Sequence, residues 1–537
     1  MDIVDSLKLK IQSSLAKLNQ EVSLNDIIIE KSKDTSHGDY ASNIAMKSAR
    51  LFGKAPRDVA TLIIENLDMN DIEKVEIAGP GFINFFMKND SLQQIVKKII
   101  DEGDNYGRLE RKNQKVNVEF VSANPTGLLH VGTARGAAIG DSICRILDFA
   151  GYDVTREYYI NDAGSQITNL GLSIQARYQQ LFGIEASIPE DGYAGDDIKD
   201  IAQQIKDELD DKALNMDLSY FKEKGMKIEL DRIVKDLDTF RVRFDVFSSE
   251  KVIGADNAIE KELEFLKDYI YEADNALYLK TTAFVDDKDR VVKKSNGDYT
   301  YFMPDICYHV NKMSRGYDFI IDVLGADHHG YINRMKSALM MHGYKENALH
   351  VELIQMVRFL KDGQEFKASK RRGDAITLRD VCEEVGVDAM RYFFAMRAAS
   401  GHLDFDMDLA KEQSANNPVY YAQYAHARLC SILEQGKEIP IDESAKNLKE
   451  QSEMALLKHL ADFSKVVNDA ANDKAPYKIA NYIHALAEMV HVFYNECRVI
   501  DKNNTEICSS RLALVKASQI VIKNALNLIG VSAPIHM

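Results

Sequence analysis

The chain has 537 residues, which suits three or four domains and ample buried core. It carries 67 Lys+Arg against 83 Asp+Glu, a formal charge of −16, so uniform basicity is excluded and any polyanion must be met by local patches. Nine prolines and 29 glycines are too few for a collagenous or linker-rich chain.

In chain order, Val4, Leu7, Ile11, Leu15 and Leu18 recur at spacings of three and four, the pattern of an amphipathic helix. A polar stretch, 31–40, leads into an Ala-rich helical run from Tyr40 to about Leu51. Val75–Ile77 and Phe82–Phe85 flank Ala78-Gly79-Pro80-Gly81 and read as strand, turn, strand. Residues 1–108 are thus expected to form a small α+β domain. Val116, Val118 and Phe120 then alternate with polar residues, as a strand does. After the loop Ser122–Gly127, Ala137, Ile139, Ile143, Ile146 and Leu147 mark a helix from about Thr133 to Phe149, stopped by Gly151. Val154–Ile160 supplies the next strand. This β-loop-α-β unit predicts a multidomain α/β protein with a parallel sheet spanning 109–375. Residues of about 180–290 are acidic and helical in pattern, and read as an insertion on the sheet edge. Tyr299–Met303 and Phe319–Leu324 resume the sheet, a helix runs from Gly330 to about Met341, and Leu353–Phe359 is a further strand or buried segment. From 376 helical patterns dominate, first as a connecting segment, 376–406, then as an all-α domain, 407–537.

The six cysteines form no C-x-x-C pair, which argues against a zinc knuckle and for reduced thiols. No apolar run reaches the roughly 18–20 residues of a membrane span, and the acidic N-terminus is unlike a signal peptide. The expected compartment is the cytoplasm, with no membrane partner.

Four clusters carry chemistry. His130-Val131-Gly132-Thr133 stands where the first sheet strand gives way to its helix. A helix N-terminus offers free N–H groups and a positive dipole end to phosphate, Gly132 lets a nucleotide approach the backbone, and His130 can donate to a phosphate oxygen. Lys367-Ala368-Ser369-Lys370-Arg371-Arg372-Gly373 places four cations in seven residues, a composition that suits a loop closing on polyphosphate, although most such charge runs are solvated basic loops. Glu119, at the end of its strand, and Asp305, after Tyr299–Met303, would suit a guanidinium if both faced one cleft; composition alone favours two unrelated acids. Gly325-Ala326-Asp327-His328-His329-Gly330 follows an apolar strand. No further His or Cys lies at metal-ligand spacing, so this loop is read as lining a pocket, with no metal site expected.

Together these segments resemble the class I aminoacyl-tRNA synthetases. Ser122-Ala123-Asn124-Pro125-Thr126-Gly127-Leu128-Leu129-His130-Val131-Gly132 is similar to the first class I signature, with a lead-in like that of arginyl-tRNA synthetases. Lys367–Lys370 resembles the second, with Ala368 where methionine is usual. Gly38–Ala41, Ala78–Phe85, Tyr301–Tyr308, Gly325–Tyr331, Asp388-Ala389-Met390-Arg391, Asn417–Tyr421 and Gln423–Arg428 agree with the same family, in order, over nearly the whole chain.

The resemblance implies a Rossmann-like catalytic domain, an N-terminal domain at the tRNA elbow and a helical anticodon-binding domain. It implies that arginine attacks the α-phosphate of ATP and that the arginyl group then passes to tRNA(Arg), with tRNA required in the first step. His130 and Lys370 are implied as catalytic; His130, Gly132, Thr133, Lys367, Ser369 and Lys370 as ATP-binding, with Mg²⁺ accompanying ATP; and Glu119, Asn124, Tyr301, Asp305 and His328 as arginine-binding. Tyr420, Tyr424 and Arg428 could stack on anticodon bases. Their spacing of four fits core packing as well. Pro534–Met537 resembles the family's ending, and a monomer is expected. The usual second histidine of the first signature is here Thr133, which can donate a hydrogen bond or cap the helix but cannot become cationic. A nucleotidylyltransferase would share the first motif without needing the helical C-terminal third. A non-catalytic tRNA-binding relative is suggested only by Thr133.

Overall fold

The computed structural model describes residues 3–32, 37–255, 257–365, 376–501 and 503–537, with the backbone alone at 89–91. The N-terminal part opens on helix α1 (Ile3–Lys17), whose Leu7, Ile11 and Leu15 are buried. Strands β1 (Ile29–Lys31) and β2 (Tyr40–Ser42), helices α2 (Ile44–Phe52) and α3 (Pro56–Glu65), and strands β3 (Ile72–Ala78) and β4 (Phe82–Met87) follow. The sheet is antiparallel in the order β1-β2-β4-β3. The run expected to be helical from Tyr40 therefore starts as a strand, because Tyr40 and Ser42 alternate inward against Phe85 and Ile83. Helix α4 (Asn89–Glu102) leads out of this part.

The central sheet takes β5 (Lys115–Glu119), helix α5 (Ala134–Phe149) and β6 (Asp153–Ile160). Gly151, at φ +90° and with Glu110 carbonyl against its Cα, turns the chain between α5 and β6. Helices α6 (Gly164–Gln180), α7 (Asp196–Leu209) and α8 (Leu218–Thr239) pack on their own core of Leu170, Ile174, Tyr178, Ile198, Ile205 and Phe221. Next come β7 (Val246–Ser249), α9 (Glu250–Ile253), α10 (Ala258–Phe265) and the strands β8 (Ile270–Ala273), β9 (Ala276–Leu279) and β10 (Arg290–Lys293). The acidic stretch 180–290 is thus not a purely helical insertion. It contains β7, the edge strand of the central sheet, and most of a separate antiparallel sheet β10-β9-β8. Strand β7 is short and half-exposed, so it lacks the apolar run that marks the inner strands.

Tyr299–Met303 is not a strand either. Tyr299 only bridges Lys293, and helix α11 (Phe302–Ser314) begins at once, with Phe302, Met303, Ile306, Cys307 and Met313 buried at helical spacing. Pro304 sits in its first turn, where a missing N–H is harmless. Strand β11 (Phe319–Gly325), helix α12 (Ile332–Met341) and β12 (Leu349–Ile354) complete a fully parallel sheet in the order β12-β11-β5-β6-β7. Leu353–Phe359 is split by a bend at Gln355-Met356. β12 ends before it, and β13 (Val357–Lys361) joins β14 (Gln364–Glu365) and, in parallel, β15 (Leu403–Asp406) in another sheet.

Helices α13 (Leu378–Val385), α14 (Val387–Ala395) and α15 (Met407–Lys411) lead to the bundle α16 (Pro418–Gln435), α17 (Gln451–Ala461), α18 (Phe463–Asp473), α19 (Pro476–Glu496) and α20 (Thr505–Leu528). The N-terminal part is tied to this bundle. Gln93 donates to the Leu448 carbonyl, Tyr106 hydroxyl donates to the Leu460 carbonyl, and Asn524 donates to the Gly103 carbonyl at 2.9, 2.9 and 3.0 Å.

Candidate active site

From β5 the sheet grows one way through β6 to β7, and the other way through β11 to β12. The order therefore reverses between β5 and β11, and a crevice opens outside their carboxyl ends, where open α/β sheets bind ligands. Glu119 is the last residue of β5, and the turn Ala326–Tyr331, with His328, follows β11.

Three carboxylates lie on one rung at that edge. Glu119 pairs in register with Asp322 on β11 and with Glu157 on β6, so all three side chains stand on the same face. They are all buried, and burial of like charges demands cations. Helix α11 supplies them. Lys312, fully buried, binds Glu119 and reaches Asp322 Oδ1 at 2.9 Å. One turn on, Arg315 donates to both Glu157 oxygens at 2.9 and 2.7 Å, and Glu157 also accepts from Asn117, Ser248 and Tyr308. His309 sits between the Asp305 carbonyl and Asp322 Oδ2, both at 2.7 Å. Both partners are acceptors, so both ring nitrogens are satisfied when the imidazole is protonated. Burial opposes that charge, but Asp322 outweighs it and raises the His309 pKa above its ordinary value. Burial likewise works against Asp322 and Lys312, yet each is held charged by the other.

The pair Glu119 and Asp305 expected to face one cleft is brought together, but not as two free acids. Glu119 is spent on Lys312 and, at 2.9 Å, on the Ser122 hydroxyl. The Asp305 carboxylate, in the first turn of α11, has no hydrogen bond or ion pair among the described residues. Burial pushes it up to about 7, with the nearby Glu119 and Asp322 adding to the shift against His309. The loop after Glu119 is strained. Val121 and Ser122 have φ of +68° and +41°, unusual for non-glycine residues and costly for a β-branched one. The strain places Ser122 Oγ between Glu119 and the Tyr159 N–H, 3.0 Å away. Asn124 donates to Gln166 on α6 at 2.7 Å. Tyr301 stands one turn before Asp305 and is 93% exposed. His328 is half-exposed, edge-on to Tyr331, whose hydroxyl lies 3.4 Å from His309 Nε2. Among the described residues, no three His, Cys, Asp or Glu side chains are grouped to hold a metal ion.

On the phosphate side, a 3₁₀ turn, Val131–Thr133, extends α5 backward, and His130 caps it. Gly132 N–H donates to His130 Nδ1 at 2.8 Å. A neutral imidazole then carries its proton on Nε2, as a donor. Gly132 is needed for a reason other than ligand approach: a Cβ there would lie 2.9 Å from His130 Nδ1. Thr133 does not cap α5 with its side chain; its hydroxyl donates to the His130 carbonyl at 2.7 Å. The same turn is stitched to the chain just beyond the basic run 367–373, by Val131 N–H to the Ile376 carbonyl and Leu378 N–H to the Leu129 carbonyl. The expected Lys367, Ser369 and Lys370 lie outside the described residues.

In the helical bundle, Tyr420, Tyr424 and Arg428 are half-buried. The opposite face of α16, with Val419, Ala422, Ala425, Leu429 and Ile432, is the core face. The two tyrosine rings stack at 6.1 Å, and Arg428 donates to the Tyr424 hydroxyl at 2.8 Å with its guanidinium 3.8 Å from the Tyr494 ring. Tyr424, Arg428, Tyr494, Arg498, His536 and Met537 line a groove of about 660 Å³.

Sequence reasoning missed Lys312, His309, Asp322, Glu157 and Arg315. A signal was present: Asp322 interrupts the apolar run Ile320–Leu324, and Asp305, His309 and Lys312 recur at four and three residues.

Comparison with known proteins agrees with this layout. The family models "Arginyl tRNA synthetase N terminal domain", "tRNA synthetases class I (R), catalytic domain" and "DALR anticodon binding domain" match residues 5–87, 95–394 and 422–537. The arginine–tRNA ligase of Bacillus subtilis (strain 168) is 49% identical over 548 aligned positions, covering 99% of each chain. That of Shouchella clausii (strain KSM-K16) is 51% identical over 535, covering 97% of this chain and 96% of its own. The solved arginyl-tRNA synthetase of Thermus thermophilus shares the fold over the whole of both chains, with a TM-score of 0.79 at 22% identity. The chain therefore belongs to the class I arginyl-tRNA synthetase family, the ligases that activate arginine with ATP and transfer it to tRNA.

Proposed function

We propose that the crevice at the carboxyl ends of β5 and β11 is where this ligase works, with the arginine guanidinium at Asp305. The observation that carries the reading is that Asp305 is a half-buried acid with no hydrogen bond or ion pair of its carboxylate among the described residues, beside a rung of acids that are already paired. A planar guanidinium can take such a carboxylate bidentately, whereas an ammonium cannot. Glu119, Asn124, Tyr301 and His328 surround the rest of the amino acid. ATP lies over the turn His130–Thr133 with Lys367, Ser369 and Lys370 closing on it, and Mg²⁺ arrives with the nucleotide.

An arginine carboxylate oxygen attacks the α-phosphorus, the bond from that phosphorus to the α,β-bridging oxygen breaks, and pyrophosphate leaves. His130 donates from Nε2 to the α-phosphate oxygens as charge grows there, and Lys370 does the same from the loop. A hydroxyl of the terminal tRNA ribose then attacks the arginyl carbonyl, and AMP leaves. Neither step needs a covalent enzyme intermediate, so positioning supplies most of the catalysis. The half-buried Tyr420, Tyr424 and Arg428 give splayed anticodon bases rings and a guanidinium to stack on.

All six cysteines are free, which suits the cytoplasm. No helix of the described residues is long and apolar enough to cross a membrane. The test is arginine-dependent ATP–pyrophosphate exchange in the presence of tRNA. Asp305→Ala is expected to raise the arginine KM far more than the ATP KM. Equal effects on both would remove Asp305 from the arginine pocket.

A further inference from the structure

We infer that Lys312 is a positioning residue for amino-acid selection, fixing the Glu119 carboxylate and cancelling the rung's charge so that Asp305 is the acid left for the guanidinium. This rests on the reading of Glu119 and Asp305 as the arginine pocket.

The argument is one of charge and geometry. The rung holds three acids, Asp322, Glu119 and Glu157, side by side on adjacent strands. Left alone in a buried site they would repel one another and shed their charge by binding protons. Helix α11 meets them at spacings of three residues with Lys312, Arg315 and His309, the last a cation when its imidazole is protonated. With His309 protonated, three charges of each sign balance. Asp305 begins the same helix and stands outside the balance.

Lys312 is the middle member. Its ammonium bridges Glu119 and Asp322, and lies 4.4 Å from the centre of the Tyr308 ring. Ser122 holds the other Glu119 oxygen from the strained loop. Glu119 is therefore held at both oxygens, from two different elements, before any substrate enters. The side chain cannot swing toward Asp305 or accept the guanidinium in its place. Arginine then meets one fixed carboxylate, Glu119, and one free one, Asp305. A pocket with two free acids would hold a cationic side chain in more than one pose, and with less discrimination between guanidinium and ammonium.

The test uses the full-length enzyme with tRNA and reads arginine and ATP KM by pyrophosphate exchange. The variants are Lys312→Met, Lys312→Arg, Glu119→Gln, the double Lys312→Met/Glu119→Gln, and Asp305→Asn. Lys312→Met is expected to raise the arginine KM at least tenfold and leave the ATP KM within twofold. The double variant is expected to be no worse than its poorer single, since both remove the same fixed carboxylate. Lys312→Arg, which keeps the cation, is expected to recover part of the loss. Should Lys312→Met fail to fold, Lys312→Met/Asp322→Asn removes an acid together with the cation and is read in its place. An unchanged arginine KM, an equal rise in both KM values, or single effects that multiply in the double would overturn the inference. An unchanged arginine KM in Asp305→Asn would overturn the pocket reading itself, and this inference with it.

Discussion

At the scale of single residues, the site is set by which polar groups already have partners. Asp305 has none among the described residues, and burial pushes its carboxyl up to about 7. Only the ionised form attracts a guanidinium, so with the guanidinium placed at Asp305 as proposed, arginine binding should strengthen as pH rises through that value and weaken below it. The arginine KM is expected to climb about tenfold per pH unit well below 7 and to level off above it, as for a single proton released on binding. In Asp305→Asn the KM should be high and flat over the same range. Thr133 is a residue whose role the structure redirects. Its hydroxyl secures the His130 carbonyl instead of capping the helix. Thr133→Val removes that bond, worth about 1 kcal/mol, and is expected to raise the ATP KM several-fold, while Thr133→Ser keeps it. Parallel steady-state measurements of both substrates check this.

At the scale of elements, two short pieces do most of the positioning. The 3₁₀ turn Val131–Thr133 aims the imidazole by lending it the Gly132 N–H. Gly132→Ala puts a Cβ 2.9 Å from His130 Nδ1, so the ring must turn and the cap is lost. A fall in kcat of about ten- to a hundredfold is expected from a misaimed donor. The melting temperature should barely change, since both residues are exposed. The other piece is α11, which covers three strands at once. Its polar side faces the acids of the rung, and its apolar side, with Met303, Ile306 and Met313, closes a second core against Ile320, Met335 and Leu339. One helix thereby ties the acid rung to the packing of the sheet.

At the scale of the whole molecule, Arg391 is the knot between catalytic sheet and helical bundle. Fully buried, it donates to Asp141 on α5 at 2.5 Å, to the Phe240 carbonyl after α8 at 3.0 Å and to the Ile529 carbonyl after α20 at 3.0 Å. Nearby, Asp388 accepts from Gln423 and from Ser532 N–H, at 2.9 and 2.8 Å. Arg391→Met is expected to cost about 3–5 kcal/mol in urea unfolding, the usual penalty for breaking a buried ion pair. Far from the crevice, Arg428→Ala should raise the tRNA KM about tenfold and leave the arginine KM unchanged. The net charge of −16 fits such local recognition. Residues 407–537, which carry the groove, are close to neutral, with 14 Lys+Arg against 15 Asp+Glu. Affinity for tRNA should therefore fall with salt, and affinity for unrelated RNA should be low.

Much was legible from residue order alone. The apolar alternation at Val116–Phe120, the helix from Thr133 and the break at Gly151 located the first β-loop-α-β unit, because local periodicity and a left-handed turn are written in neighbouring residues. The same order brought out His130, Glu119 and Asp305 by chemical type. It could not tell that Glu119 is spoken for. That depends on Lys312, 193 residues away, and on a register that sets Glu119 beside Asp322 and Glu157. Edge strand β7 and the start of α11 were misread for a related reason: a half-exposed strand and a helix opening on Tyr-Phe-Met-Pro carry weak local patterns, and their neighbours decide them. The sequence by itself determined the elements with strong periods, and the residue types fit for phosphate and guanidinium. Only the tertiary structure decided which of those side chains are free to bind, because the partners that neutralise a buried charge come from distant parts of the chain.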